Sequence, residues 1–340
     1  MGTITELKKA INTTKNFWIL IPLRIFHGTR SAHFRNGIET ELNISEYLIV
    51  ISLLEYLRKE GFTITKTIQG YFLQKINGGI SFQTLSLVAT PAVFELVSSL
   101  VSQGWTFEQN NDMSYYFHKN GVDCLVQMLD DNLFSLKLRQ VEIIGPYDSI
   151  WIYLFEITHG VYDWNFNGKV VLDVGGFCGE TAVFFASQGA KKVIIYEPVP
   201  EHQKFIKENM IRNNIEAEIH EEGIGEKDGT ETIRCWEVNP GFGLERKEKK
   251  ELKVKIRSVT DVIETSGADI GKFDCEGAEA SLLNVPESTL RKIDFYIIET
   301  HSLQIRNAIV DKFSKSGFKP TRAPKESSKK ISILYFEKEL

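Results

Sequence analysis

Lys169-Val170-Val171-Leu172-Asp173-Val174-Gly175-Gly176-Phe177-Cys178-Gly179-Glu180-Thr181 is the stretch that decides the fold. Residues 169–174 read as a buried strand, three glycines follow within five positions, and residues 180–188 read as a helix. From here to the C-terminus strands and helices alternate. Strands are expected over 192–197, 216–221, 270–274, 295–299 and 331–337, with helices over 200–214, 278–283 and 303–316 and a short one from 260. Such alternation demands a parallel sheet with helices on both faces. Residues 230–238 and 252–259 alternate with period two around a charged linker and are expected as an inserted strand pair. The last strand, after a helix and the Gly317 turn, is expected to run antiparallel.

Upstream the texture differs. A chain of 340 residues is long for one core, and two domains are expected, 1–140 and 141–340. The first reads as α+β. A helix over 43–60 is capped by Asn43 or Ser45, with Leu48, Ile51, Leu54 and Leu57 on one face, and a second helix has Thr90 as N-cap and Pro91 at its first position. Short strands are expected over 62–67, 84–88, 114–118 and 124–128. This region shows no repeat and no catalytic constellation. Substrate selection and a structural or oligomerising role are equally open for it, and a homodimer is compatible with either.

Composition excludes several classes. Apolar residues at 42% and charged residues at 25% describe an ordinary globular chain. A net charge of −5 supplies no global attraction to nucleic acid or to an anionic membrane. The apolar runs at 17–23 and 47–54 are too short to span a bilayer, and the first lacks a cleavage site. Cys124, Cys178, Cys235 and Cys275 form no CxxC pair, so neither a zinc site nor a disulfide framework is expected. A cytoplasmic setting is the plain reading.

In an open α/β sheet, ligands bind outside the carboxyl ends of the strands where strand order reverses. Gly175, Gly176 and Gly179 follow the first strand, where a backbone without Cβ permits close approach and the helix start offers free N–H groups. The run G-G-x-x-G does not fit the dinucleotide pattern G-x-G-x-x-G. Asp173 would repel a pyrophosphate, but it would attract the ammonium and sulfonium of S-adenosylmethionine (SAM). Glu197, 24 residues later at the end of the second strand, is placed to accept hydrogen bonds from ribose hydroxyls.

Lys272-Phe273-Asp274-Cys275-Glu276-Gly277-Ala278-Glu279 ends the fourth strand with several carboxylates. With it, the sequence resembles the FkbM family of SAM-dependent methyltransferases. Residues 173–181 are similar to that family's D-V-G-A-N-x-G-x-T, and residues 272–279 to its K-x-D-x-E-G-x-E. Tyr162-Asp163, Glu197-Pro198, Asn213-Asn214 and Glu299-Thr300-His301 add to the likeness, which covers about residues 140–340. Phe177 departs from it, standing where Asn or Gly is usual. The resemblance implies a Rossmann-like, seven-stranded class I methyltransferase fold. It also implies SAM as methyl donor and O-methylation of a small hydroxyl-bearing acceptor such as a sugar, glycolipid or polyketide. Asp173, Gly175, Gly176, Gly179, Thr181 and Glu197 are the expected cofactor residues.

Methyl transfer from a sulfonium is an in-line displacement that mainly needs alignment, plus a base when the acceptor is a hydroxyl. Asp274 is expected to position or deprotonate the acceptor, with His301 as competing base and Glu276 assisting electrostatically. The alternative for Asp274 is an N-cap over Gly277, and for Glu279 a favourable charge at a helix start. Carboxylates at one strand tip can hold a divalent cation, but sequence does not bring enough ligands together, and no metal is assigned. Cys178 reads as a small apolar filler. The seven basic residues within 246–257 read as a solvated hairpin. Asn239-Pro240 is similar to the N-P-P-[YF] signature of amine methyltransferases but lies in the inserted hairpin. An RNA methyltransferase with an RNA-binding N-terminal domain, and a SAM-binding protein without activity, stand as alternatives.

Overall fold

In the computed structural model, residues 30–339 are described except 35–37, 43, 60, 69, 77–79, 87–88, 111–112, 131–132, 237–248 and 327–330. The residues at 17–23, Asn43 and Asn239-Pro240 lie outside these. The chain divides into two compact units, one ending at Arg139 and one beginning at Gln140.

In the first unit, a hairpin β1 (Arg30–His33) and β2 (Glu39–Leu42) precedes α1 (Ile44–Lys59). The antiparallel meander β3 (Phe62–Thr67), β4 (Gly70–Lys75) and β5 (Ser81–Thr84) follows. After α2 (Thr90–Ser102), a second meander runs through β6 (Thr106–Gln109), β7 (Ser114–Lys119), β8 (Val122–Asp130) and β9 (Leu133–Leu138). The fifth strand ends where sequence placed its start, because the chain turns at Ser86. The Ser86 hydroxyl accepts from Ala89 N at 3.1 Å, and its carbonyl accepts from the Thr90 hydroxyl at 2.8 Å. Thr90 is therefore the first helical residue and not the N-cap. Phe94 on α2 meets Phe62 and Tyr56 edge-on at 5.1 and 5.6 Å, so the helix is seated by aromatic packing. The Gln109 amide spans Gln83, accepting from its N–H at 2.6 Å and donating to its carbonyl at 2.9 Å, which joins the two meanders.

The second unit opens with β10 (Val141–Gly145) and α3 (Tyr147–Phe155). The strands β11 (Val170–Val174), β12 (Lys192–Tyr196), β13 (Ala217–His220), β17 (Ile270–Phe273), β18 (Phe295–Thr300), β19 (Phe318–Pro320) and β21 (Ser332–Lys338) form a sheet in the order 13-12-11-17-18-21-19, with the two-residue β20 (Lys325–Glu326) beside β21. All pairings are parallel up to β18, and β21 is antiparallel to both its neighbours. This is the seven-stranded Rossmann-like arrangement expected, with the order reversing between β11 and β17. Helices α4 (Glu180–Ser187), α5 (Pro200–Arg212) and α8 (Leu303–Lys315) are crossovers, with α6 (Val259–Ser266) and the one-turn α7 (Glu287–Leu290) between β16 and β18, whereas β14 (Gly223–Gly225), β15 (Gly229–Trp236) and β16 (Lys249–Ser258) form the inserted sheet. Leu172, Val174, Ile194, Tyr196, Phe273, Tyr296 and Ile298 join one core on one face of the sheet. Full burial of each such side chain contributes about 1.5–3 kcal/mol.

Several elements were not legible in sequence, among them β10, α3, β14 and β19. From Ile150 to Phe155 α3 is apolar all round, so no helical stripe shows, and β19 is too short to register. Strand β10 is held by side chains of α5. Buried Asn209 accepts from Ile144 N at 2.7 Å and donates to Ile144 O at 2.9 Å and Cys178 O at 2.8 Å. Asn213 repeats the clasp one turn on, through Glu142 N and O. Because Asn209 also holds the glycine bend, Asn209→Ala leaves buried backbone groups unpaired. A loss of about 2–4 kcal/mol is expected in denaturant unfolding, against under 1 kcal/mol for an exposed control such as Lys204→Ala.

Candidate active site

Asp173 and Lys272 are register partners on β11 and β17, the two strands that flank the switch point. Both are buried, and Lys272 Nζ lies 3.1 Å from Asp173 Oδ1 while donating to Gly175 O at 2.6 Å. The other oxygen of Asp173 accepts from the Thr181 hydroxyl at 2.6 Å. Burial alone would push the lysine down, but Asp173 and Asp274 hold its ammonium charged, above the ordinary value. Burial lifts the Asp173 carboxyl, with Lys272 and Thr181 opposing. The carboxylate expected to face a cationic cofactor is thus already neutralised within the protein. Its effect is to fix the glycine bend through Lys272 and the start of α4 through Thr181.

The glycines are first required by the protein's own packing. A Cβ on Gly175, at φ +80°, would sit 1.7 Å from Asp274 O, and one on Gly176 would sit 2.4 Å from the Ile195 side chain. Gly179, at φ +85°, caps α4 against Ile206. Phe177 occupies the left-handed region at φ +43°, where Asn is better tolerated, and its ring meets His202 edge-on at 4.6 Å. Glu197 is buried, with 5% of its surface exposed. Its oxygens accept from Phe177 N at 3.0 Å and Val199 N at 2.9 Å, and His202 Nδ1 is 3.2 Å away. A carboxylate has about four acceptor positions, so capacity for ribose hydroxyls remains.

At the tips of β17 and β18 the expected catalytic residues converge. Asp274 is about a third exposed, its N–H donates to Val174 O at 3.0 Å, and its carboxylate makes no hydrogen bond among the described residues, with Lys272 Nζ at 3.7 Å and His301 Nε2 at 3.8 Å. The buried Glu279 accepts from Gly277 N at 2.7 Å, His301 N at 3.0 Å and His301 Nδ1 at 3.2 Å. It therefore orients His301 as well as serving the turn, a role sequence did not assign. Burial pulls the His301 imidazole down, but Glu279, Glu276 and Asp274 overcome it and raise it to about 9. A ring that is protonated near neutrality is a poor base. Glu276, 85% exposed, stands at the rim, 3.7 Å from His301 Nε2. Glu299 faces the same space, its carboxyl pushed up to about 8 by burial and then by Asp274. A lysine in the middle of a buried strand demands a charged partner, and that was the signal by which Lys272 could have been found.

Two consequences are measurable. Lys272→Met strands the Asp173 charge and should cost about 3–5 kcal/mol in unfolding, and Asp173→Asn added to it should restore part of the loss. Burial also raises the Glu180 carboxyl, in the first turn of α4, from 4.5 to about 8. The folded protein then keeps this proton to higher pH than the unfolded chain, so stability is lost as pH rises from about 4.5 to 8. Glu180→Gln should flatten that fall, and its advantage in Tm over the parent should grow between about pH 5 and 9 by the equivalent of a few kcal/mol. Equal pH slopes in the two proteins would refute the burial argument.

Residues 173–319 match the methyltransferase FkbM domain. No curated protein matches the chain. Among solved structures, a putative RNA methyltransferase from Pyrococcus horikoshii is 17% identical, with a TM-score of 0.36 over 58% of this chain and 87% of that one. A precorrin-6y C5,15-methyltransferase from Geobacter metallireducens is 11% identical, with a TM-score of 0.34 over 54% and 86%. A putative tRNA (m1A22) methyltransferase from Streptococcus pneumoniae, in complex with SAM, is 15% identical, with a TM-score of 0.34 over 54% and 72%. The domain match spans the glycine bend, the Lys272–Glu279 turn and His301, so the C-terminal unit carries a methyltransferase FkbM domain.

Proposed function

We propose that the chain transfers the methyl group of SAM to a hydroxyl of a small, uncharged acceptor, with Asp274 as the base. The observation that carries this reading is the Asp274 carboxylate. It stands at the switch-point tip, partly open and free of hydrogen bonds among the described residues, while the carboxylates of Asp173, Glu197 and Glu279 are engaged. The acceptor oxygen attacks the methyl carbon, the carbon–sulfur bond breaks, sulfur keeps the electron pair, and the hydroxyl proton passes to Asp274. Glu197 is the proposed ribose partner. Gly175, Gly176 and Gly179 provide the close backbone bend, and Asp173 and Thr181 act by holding that bend in shape. His301, held by Glu279, places positive charge beside Asp274. The acidic groups Asp274, Glu276, Glu279 and Glu299 at these tips favour a neutral acceptor over a phosphate-bearing one.

Calorimetry with SAM and a homocysteine-release assay over a panel of neutral polyols and hydroxylated small molecules test this. Asp274→Asn is expected to bind SAM within about threefold of the parent and to lose about 10²–10⁴ in methyl transfer. Glu197→Ala is expected to weaken SAM binding by about tenfold or more. Undiminished turnover in Asp274→Asn would remove Asp274 from the chemistry.

A further inference from the structure

We propose that Asp274, Glu299 and His301 form a divalent-cation site at the acceptor side of the cleft. One ligand atom from each residue falls within 4.8 Å of the other two. A single point then lies within about 2.8 Å of all three, close to the 2.3–2.6 Å of calcium–oxygen contacts and a small closure from the 2.0–2.2 Å of magnesium or manganese. The spacing is not that of a hydrogen-bonded cluster: His301 Nε2 is 3.8 Å from Asp274 and 4.0 Å from Glu299.

Three independent features favour a cation there. The first is the support of His301, whose Nδ1 is engaged by the buried Glu279. This turns Nε2 into the gap, as the carboxylate behind a metal-binding histidine does. The second is charge. Lys272 is committed to Asp173 and Gly175 and reaches Asp274 only at 3.7 Å, so Asp274, Glu276 and Glu299 face chiefly the Nε2 proton of His301. A dication would replace that proton and release it to solvent. The third is Tyr162, which is 3% exposed and whose hydroxyl makes no hydrogen bond among the described residues. Asp274 and Glu299 are the charges that act on it most strongly, so its hydroxyl lies near both acids. Two carboxylates and one imidazole are a donor set for magnesium, manganese or calcium, with water or an acceptor hydroxyl filling the remaining positions.

The inference shares Asp274 with the proposed function but does not require turnover for its test. The full-length protein is titrated with Mn²⁺ alone and the free-ion signal followed by electron paramagnetic resonance, with SAM affinity measured separately. One Mn²⁺ per chain is expected, displaced by excess Mg²⁺ or Ca²⁺. Glu299→Gln and Glu279→Gln should each weaken it about 10- to 100-fold with SAM affinity kept within about threefold. No stoichiometric Mn²⁺ uptake by the parent protein, or equal uptake in Glu299→Gln, overturns the site. SAM uptake without Mn²⁺ uptake would sink the cation site and leave the methyltransferase reading standing, and Mn²⁺ uptake without SAM uptake would do the reverse.

Discussion

The ion pair between Asp173 and Lys272 is the constraint around which the C-terminal unit is arranged. It joins the two strands between which the sheet changes direction, so it is a contact between the outgoing and returning halves of the fold. Both charges are buried, and each is tolerable only because the other is present. From this pair the bend at Gly175 is held by the lysine and α4 is held by Thr181. The backbone of the bend then presses so closely on Asp274 that only glycine fits at 175. A residue read as a cofactor ligand thus also fastens the fold, and the pair sets the neighbouring acidic groups in place.

The tips of β17 and β18 show the same division of labour. Buried acids are consumed by structure: Glu279 closes its own turn and holds His301, and Glu197 ties the glycine bend to the start of α5. At these tips the side chains of Asp274, Glu299 and His301 converge, with one ligand atom of each within 4.8 Å of the others. Positive charge is what that cluster lacks. A protonated His301 supplies one unit of it, and a sulfonium donor or a dication would supply more.

The alternation of strands and helices beyond residue 169 was legible because each strand of a parallel sheet is buried on both faces and each crossover helix is punctuated by glycine, proline or serine. The inserted pair β15 and β16 was legible by its period of two. Helix α3 and strand β19 were not. A helix apolar on every side from Ile150 to Phe155 shows no stripe, and a three-residue strand owes its existence to pairing with β21. In the first unit the fifth strand and the cap of α2 were misplaced for one reason. The Ser86 turn competes with the local propensity of Thr84 and Thr90.

The sequence by itself determined the class of the second unit, the positions of its glycine bend and acidic tips, and the resemblance that named its donor. Those features are local, set by periodicity, turn chemistry and short spacing. Only the tertiary structure decided which carboxylates are free to act. Whether an acid is neutralised by a lysine 99 positions away, as Asp173 is, or stands open at a strand tip, as Asp274 does, depends on strand order and register. Burial then converts that placement into charge state, because an ion removed from water survives only beside its partner.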